Sequence, residues 1–158
     1  MKKVLLSFAA VALLAFGAQE VKAQTPYQSA LGLVFDGHDG SNVGIQYKTA
    51  VGPTTAFQAQ AAFRSNWISL GADYQYEKAI AGAEGLAWYA GGGAQIGFWT
   101  GNGDGEAWVG LRPQIGLEYR IPQVPLAFHL DYKPTIGIIN SSGFHGDGFT
   151  FGVKFVLK

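Results

Sequence analysis

Residues 55–77, TAFQAQAAFRSNWISLGADYQYE, alternate by twos on either side of a two-residue interruption. Phe57, Ala59, Ala61 and Phe63 hold one parity, with Gln58, Gln60 and Arg64 at the other. After Ser65-Asn66 the pattern resumes, setting Ile68, Leu70, Ala72, Tyr74 and Tyr76 against Ser69, Gly71, Asp73, Gln75 and Glu77. Successive side chains of an extended chain point to opposite sides, so this alternation makes strands with one apolar and one polar face. The Ser-Asn pair between them marks a hairpin turn.

The same rule holds outward in both directions. Upstream, Leu31, Leu33 and Phe35 oppose Gln28, Ala30, Gly32 and Asp36, and Val43, Ile45, Tyr47 and Val51 oppose Gly44, Gln46 and Lys48. Downstream, Leu86, Trp88, Ala94, Ile96 and Phe98 oppose Tyr89, Gly91, Gly93, Gln95 and Gly97. Val109, Leu111, Ile115, Leu117 and Tyr119 then oppose Gly110, Arg112, Gln114, Gly116, Glu118 and Arg120. Leu126, Phe128, Leu130, Tyr132 and Ile136 oppose His129, Asp131, Lys133 and Thr135. Residues 149–158 close the set, with Phe149, Phe151, Val153, Phe155 and Leu157 facing one way and Thr150, Gly152, Lys154, Val156 and Lys158 the other. About eight segments of this kind predict an all-β, antiparallel, up-and-down barrel of the smallest common size. Pro113 and Pro134 lie inside strands of a barrel without free edges, so each is expected to mark a bulge or a strand end. The outer connections are expected at 37–42, 65–66, 100–106 and 140–148, with an unusually long turn at 78–85 on the opposite side.

The first 23 residues do not belong to this pattern. Lys2 and Lys3 precede an apolar run at 4–18, and Val21-Lys22-Ala23 carries the small residues a signal peptidase reads, so residues 1–23 are expected to be a cleaved leader and 24–158 the barrel domain. The run is shorter than the roughly 20 residues of a spanning helix. With no cysteine, neither a disulfide nor a lipidated N-terminus is available. Beyond residue 23 the chain has eight basic and ten acidic side chains, a net charge of −2, which argues against a nucleic-acid partner.

Alternation alone does not say which face is inside, because a soluble barrel hides its apolar face and an outer-membrane barrel turns it toward lipid. The polar face decides. Charged residues make up 14% of the chain, fewer than the ~25–35% of a water-facing surface. Those placed within strands share the polar parity with Gly32, Gly44, Gly71, Gly91, Gly93, Gly97, Gly110, Gly116 and Gly152. Small residues beside large charged ones suit a crowded narrow lumen. The apolar face therefore meets lipid, and the inner face is expected to carry a salt-bridged network of Lys48, Arg64, Asp73, Arg112, Glu118, His129, Asp131 and Lys133. Tyr27, Phe57, Tyr76, Trp88, Tyr119 and Phe128 fall at one rim of the meander and are expected to form an aromatic girdle at the lipid boundary. Phe35, Phe63, Phe98 and Phe149 fall at the other.

With these features the chain resembles the small Gram-negative outer-membrane barrels typified by OmpX and the transmembrane domain of OmpA. The most specific element is the last strand, where Thr150-Phe151-Gly152-Val153-Lys154-Phe155-Val156-Leu157 is similar to that family's assembly signal. The resemblance implies that Gly152, Phe155 and Leu157 are read by the barrel-assembly machinery, although Lys158 departs from the usual terminal aromatic. It also implies an outer-membrane location, lipid and lipopolysaccharide as partners, a monomer and no cofactor.

Candidate chemistry is sparse. His129 shares a face with Asp131, a possible base and orienting carboxylate, but no serine accompanies them on that strand, and a packed polar interior accounts for both. His38, Asp39, Asp104, Glu106, His145 and Asp147 fall in expected outer loops and could together bind a divalent cation, but scattered carboxylates on Gly-rich loops are more often simply solvated. No catalytic, cofactor or metal residue is therefore assigned. The leading reading is a non-enzymatic structural or surface-interaction barrel with a filled interior. A narrow pore for ions or small solutes is the alternative, and a lipid-modifying enzyme is the second; the latter would need a His and a Ser facing lipid near the outer rim, whereas His129 has the other parity and His145 with Ser141 or Ser142 lies in an expected loop. A soluble lipocalin-like barrel is the fallback for the fold.

Overall fold

The computed structural model describes residues 26–37, 42–101, 107–140 and 143–157. The strands are β1 (Ser29–Asp36), β2 (Asn42–Gly52), β3 (Thr55–Arg64), β4 (Trp67–Ala79), β5 (Leu86–Trp99), β6 (Ala107–Arg120), β7 (Leu126–Tyr132), β8 (Thr135–Ile139), β9 (Gly143–His145) and β10 (Phe149–Val156). All pairings are antiparallel, each strand through β6 lies beside its sequence neighbour, and β1 pairs with β10 to close the wall. β6 pairs with β7 over its second half and with β8 over its first, so β7 and β8 are two pieces of one barrel strand. β9 and β10 are pieces of the next. The result is a closed eight-stranded antiparallel barrel.

Turns at 53–54, 80–85 and 121–125 lie at the rim nearest the start of β1, here the near rim. The Ser65-Asn66 turn lies at the far rim, together with Asp36, Asn42, Trp99, Ala107 and Ile139 at the ends of their strands. The Ser65-Asn66 hairpin is a two-residue turn, with Arg64 paired to Trp67 and Asn66 in the left-handed region at φ 59°. Asn tolerates that conformation better than most residues, which is why this dipeptide turns the chain so tightly. The expected turn at 78–85 is two residues shorter, because β4 runs on through Ala79 and pairs with Ala87. The expected far-rim loop at 140–148 is not all loop, since 143–145 form β9 against β8.

One of the two prolines meets the expectation and the other does not. Pro134 does end a strand, in the break between β7 and β8. Pro113 does not: β6 runs through it and its pairing with β5, Pro113 to Gly92, keeps register. The gap at Pro113 is on the other side of β6, where Ile115 pairs with Tyr132 and Leu111 with Ile136 and nothing between is paired. The register is unchanged across that gap, which sets Pro113 opposite Pro134. Two residues without an N–H share one seam, so one short interruption absorbs both missing donors.

Burial follows the alternation, in the reverse sense to a soluble core. Leu31, Leu33, Ile45, Leu70, Leu117, Leu130 and Phe155 are about half exposed on the outer face, whereas Lys48, Asp73, Arg112, Glu118, Asp131 and Lys154 are at most 2% exposed inside. Among the described residues a buried apolar cluster of Tyr27, Ala30, Ala127 and Val156 lies at the near end of the lumen. Tyr27 therefore leaves the expected girdle. It precedes β1, where the chain is no longer extended and parity does not fix direction. Of the other girdle residues, Phe57, Tyr76 and Tyr119 are exposed, Trp88 packs against Tyr76 at 5.9 Å, and Phe128 stacks on Phe151 at 6.5 Å.

Candidate functional site

The lumen is the chemically distinctive part of the molecule. Arg112 on β6 reaches across to Asp73 on β4, with Nη2 donating to Oδ2 at 2.6 Å and Nε to Oδ1 at 3.3 Å, while its Nη1 donates to Gln95 Oε1 at 2.9 Å. A planar guanidinium suits this task because it addresses a carboxylate with two donors in a fixed geometry. Its fork lies over Gly71, where a methyl group would overlap the guanidinium, so this glycine leaves the space the arginine fills. Gly71→Val is expected to displace Arg112 and lower stability by about 1–3 kcal/mol, read as a shift in the urea midpoint of the folded barrel.

Lys133 bridges the next level, 3.7 Å from Asp73 and 3.6 Å from Asp131, and donates to Gln60 Oε1 at 3.2 Å. Asp131 accepts from the Tyr89 hydroxyl and lies 3.0 Å from His129 Nδ1. The Gln46 amide nitrogen is 2.8 Å from His129 Nε2 and donates to the Leu33 carbonyl at 2.7 Å. With Gln46 as donor, His129 accepts at Nε2 and gives its Nδ1 proton to Asp131, a tautomer that satisfies both ring nitrogens. His129 and Asp131 thus meet as the sequence anticipates, but Tyr89, Gln46 and Lys133 fill the space around them. No serine stands beside the pair among the described residues. The pair is a buried fastening.

Toward the near rim, Lys154 donates to Glu118 at 2.6 Å, and Lys48 lies 3.3 Å from Glu118 and hydrogen-bonds Glu77. The Lys48 ammonium also sits 4.9 Å above the Tyr89 ring and 5.6 Å from that of Tyr27. Tyr89 therefore links the two levels, its ring under one cation and its hydroxyl on Asp131. Among the described residues at most 3% exposed, Lys48, Arg112, Lys133 and Lys154 face Asp73, Glu77, Glu118 and Asp131 in the lumen, four charges of each sign, with Asp36 buried beyond them at the far rim. Such a balance leaves little field along the axis to favour ions of either sign.

Seven of the eight residues expected in the interior network lie in this lattice. Arg64 does not: it ends β3 at the far rim and is exposed in the barrel mouth. Tyr89, Glu77, Lys154 and Gln46 belong to the lattice without having been singled out, although all four carry the inward parity. The remaining site residues at the C-terminal end are divided between faces, with Gly152 on β10 buried, Phe155 on β10 outward and Leu157, just past its end, exposed. His38, Asp39, Asp104, Glu106, Ser141, Ser142 and Lys158 lie outside the described residues. Among the described residues no group of three His, Asp or Glu side chains is arranged to hold a metal ion.

No family model matches the chain, and no curated protein matches it. Among solved structures it is similar to the N-terminal β-barrel domain of Pseudomonas aeruginosa OprF, with a TM-score of 0.65 and 12% identity over 82% of this chain and 97% of that one. At that identity the likeness is one of fold: both are barrels of the same overall shape.

Proposed function

We propose that this chain is an integral outer-membrane β-barrel with a filled polar interior, acting as a structural or surface-interaction element and not as an enzyme. The observation that carries the reading is the reversal of burial, with apolar side chains around the whole outside and paired charges within. In water such an exterior would be one continuous apolar patch, far beyond the few hundred Å² that soluble monomers leave uncovered. In a bilayer it is the ordinary surface of a barrel. β4, β5 and β6 have 13, 14 and 14 residues, long enough for the ~9–11 that a tilted strand needs to cross the hydrocarbon. Residues 1–23 would then serve as the export leader. The outward Phe155 of β10 and the exposed Leu157 that follows it would be presented to the barrel-assembly machinery, and the monomer would sit among outer-membrane lipid and lipopolysaccharide.

One observation favours the pore as a second reading. In the glutamine tier, Gln75 Nε2 donates to Gln114 Oε1 at 3.3 Å, yet Gln75 Oε1, Gln58 Nε2 and Gln114 Nε2 have no hydrogen-bond partner among the described residues. Polar atoms so deeply buried are normally satisfied by water, and a file of water is the beginning of a conduit. Planar-bilayer conductance of the refolded chain separates the two. The expected result is a silent bilayer, because the lattice from Arg112 to Lys154 crosses the lumen; regular channel steps would transfer the function to the pore reading.

A further inference from the structure

Three tryptophans with inward parity meet at the far rim. Trp67 stands opposite Trp99 in the β4–β5 register, and Trp108 stands opposite Gly97 between β5 and β6. The Trp67 and Trp108 rings stack at 5.9 Å and 12°, and Trp99 lies 6.4 Å from Trp67, tilted by 58°. The wall is shaped to hold them: a methyl group at Gly97 would overlap Trp67 and Trp108, one at Gly110 would overlap Trp108, and one at Gly101 would overlap Trp99. Beside the indoles lies a cavity of about 350 Å³, with Asp36, Asn42, Arg64, Gln95 and His145 also on its lining. Gln95 is held from below by Arg112, so this side of the cup rests on the charged lattice.

We propose that this cup binds a saccharide, one or two rings of an uncharged oligosaccharide lying on the indoles. A sugar ring offers C–H groups on its faces, which stack on an aromatic plane, and hydroxyls around its edge that both donate and accept. The cup offers the complement: indole faces for the ring, with a carboxylate, two amides and a guanidinium for its edge. Trp99 is 50% exposed although its parity is inward, so a large ring is left wet inside a concavity. Such half-apolar pockets with a few convergent polar groups are where small ligands bind, and the volume lies at the lower end of their ~300–1,000 Å³ range. Asp36 and Arg64 balance in charge, which favours a neutral polyhydroxylated ligand over a phosphate or an amine. A wholly apolar guest would strip water from both without replacing their hydrogen bonds. The sugar could be a free oligosaccharide or the neutral outer hexoses of a glycolipid headgroup in the same membrane; the recognition chemistry is the same, and its placement beside lipid rests on the proposed location.

Trp88 is the fourth tryptophan and faces outward, so Trp88→Phe leaves only the cup to report by fluorescence. The refolded W88F barrel, its folding established by heat-modifiable gel mobility in detergent, is titrated with chitobiose, maltotriose, lipopolysaccharide core oligosaccharide and intact lipopolysaccharide. A saturable emission change with at least one soluble saccharide is expected, weakened ten-fold or more by adding Trp99→Ala while gel mobility is retained. Saturation by the core oligosaccharide as well as the intact molecule would assign the glycolipid as the source, and saturation by chitobiose or maltotriose alone would assign a free sugar. No saturable change with any soluble saccharide, a response to intact lipopolysaccharide alone, or equal binding after Trp99→Ala would overturn the site. Because the titration is done on a barrel already shown to be folded in detergent, its failure leaves the membrane reading untouched.

Discussion

Glu118→Ala is expected to destabilise the barrel by about 3–5 kcal/mol, the range for removing one partner of a buried ion pair. Glu118 is 0% exposed and accepts from Lys154 at 2.6 Å, with Lys48 at 3.3 Å. Lys48 keeps Glu77, but among the described residues Lys154 has no second carboxylate within ion-pair distance. The substitution therefore strands an ammonium group in the lumen. The double variant Glu118→Leu with Lys154→Met should regain most of the loss, since apolar residues of similar volume replace a buried pair at little cost. Urea titrations in detergent micelles read both. If the single variant kept its midpoint, the lumen would be wet enough to screen the orphaned charge, and the pore reading would gain.

Leu33→Arg carries the other large effect, about 2–4 kcal/mol if the residue lies near the bilayer midplane. Leu33 is midway along β1, is 50% exposed, and stands beside Ile45 and Val153 on the outer face. On a water-facing surface the same change would stay within about 0.5 kcal/mol. The difference in refolding free energy between Leu33→Arg and the parent chain, taken in lipid vesicles, therefore tells the two environments apart.

The alternation made most of this architecture legible before any coordinates, because period two is a local property and local properties survive in a single sequence. The charged lattice was legible only as a face. That Lys48, Asp73, Arg112, Glu118, Asp131 and Lys133 point inward follows from parity; that Arg112 selects Asp73 and Lys154 selects Glu118 depends on strand stagger across the barrel, which parity does not contain. Arg64 has the right parity at the wrong height, since the last residue of β3 faces the open mouth. Tyr27 lies beyond the end of β1, outside the reach of the rule. Pro113 was misjudged because the cost of a missing donor depends on the neighbour it faces, and its neighbour across the gap is Pro134. The tryptophan cup needed both inward parity and the register that sets Trp67 opposite Trp99, and the spacing of those residues along the chain hides it.

The most direct test of the inverted barrel is vesicle flotation of the urea-unfolded 24–158 chain after dilution into phosphatidylcholine liposomes. Protein that floats with the liposomes, resists added protease and shows heat-modifiable gel mobility is the expected result. A chain that instead folds in plain buffer to a stable monomer, and stays at the bottom of the gradient, would contradict a lipid-facing exterior.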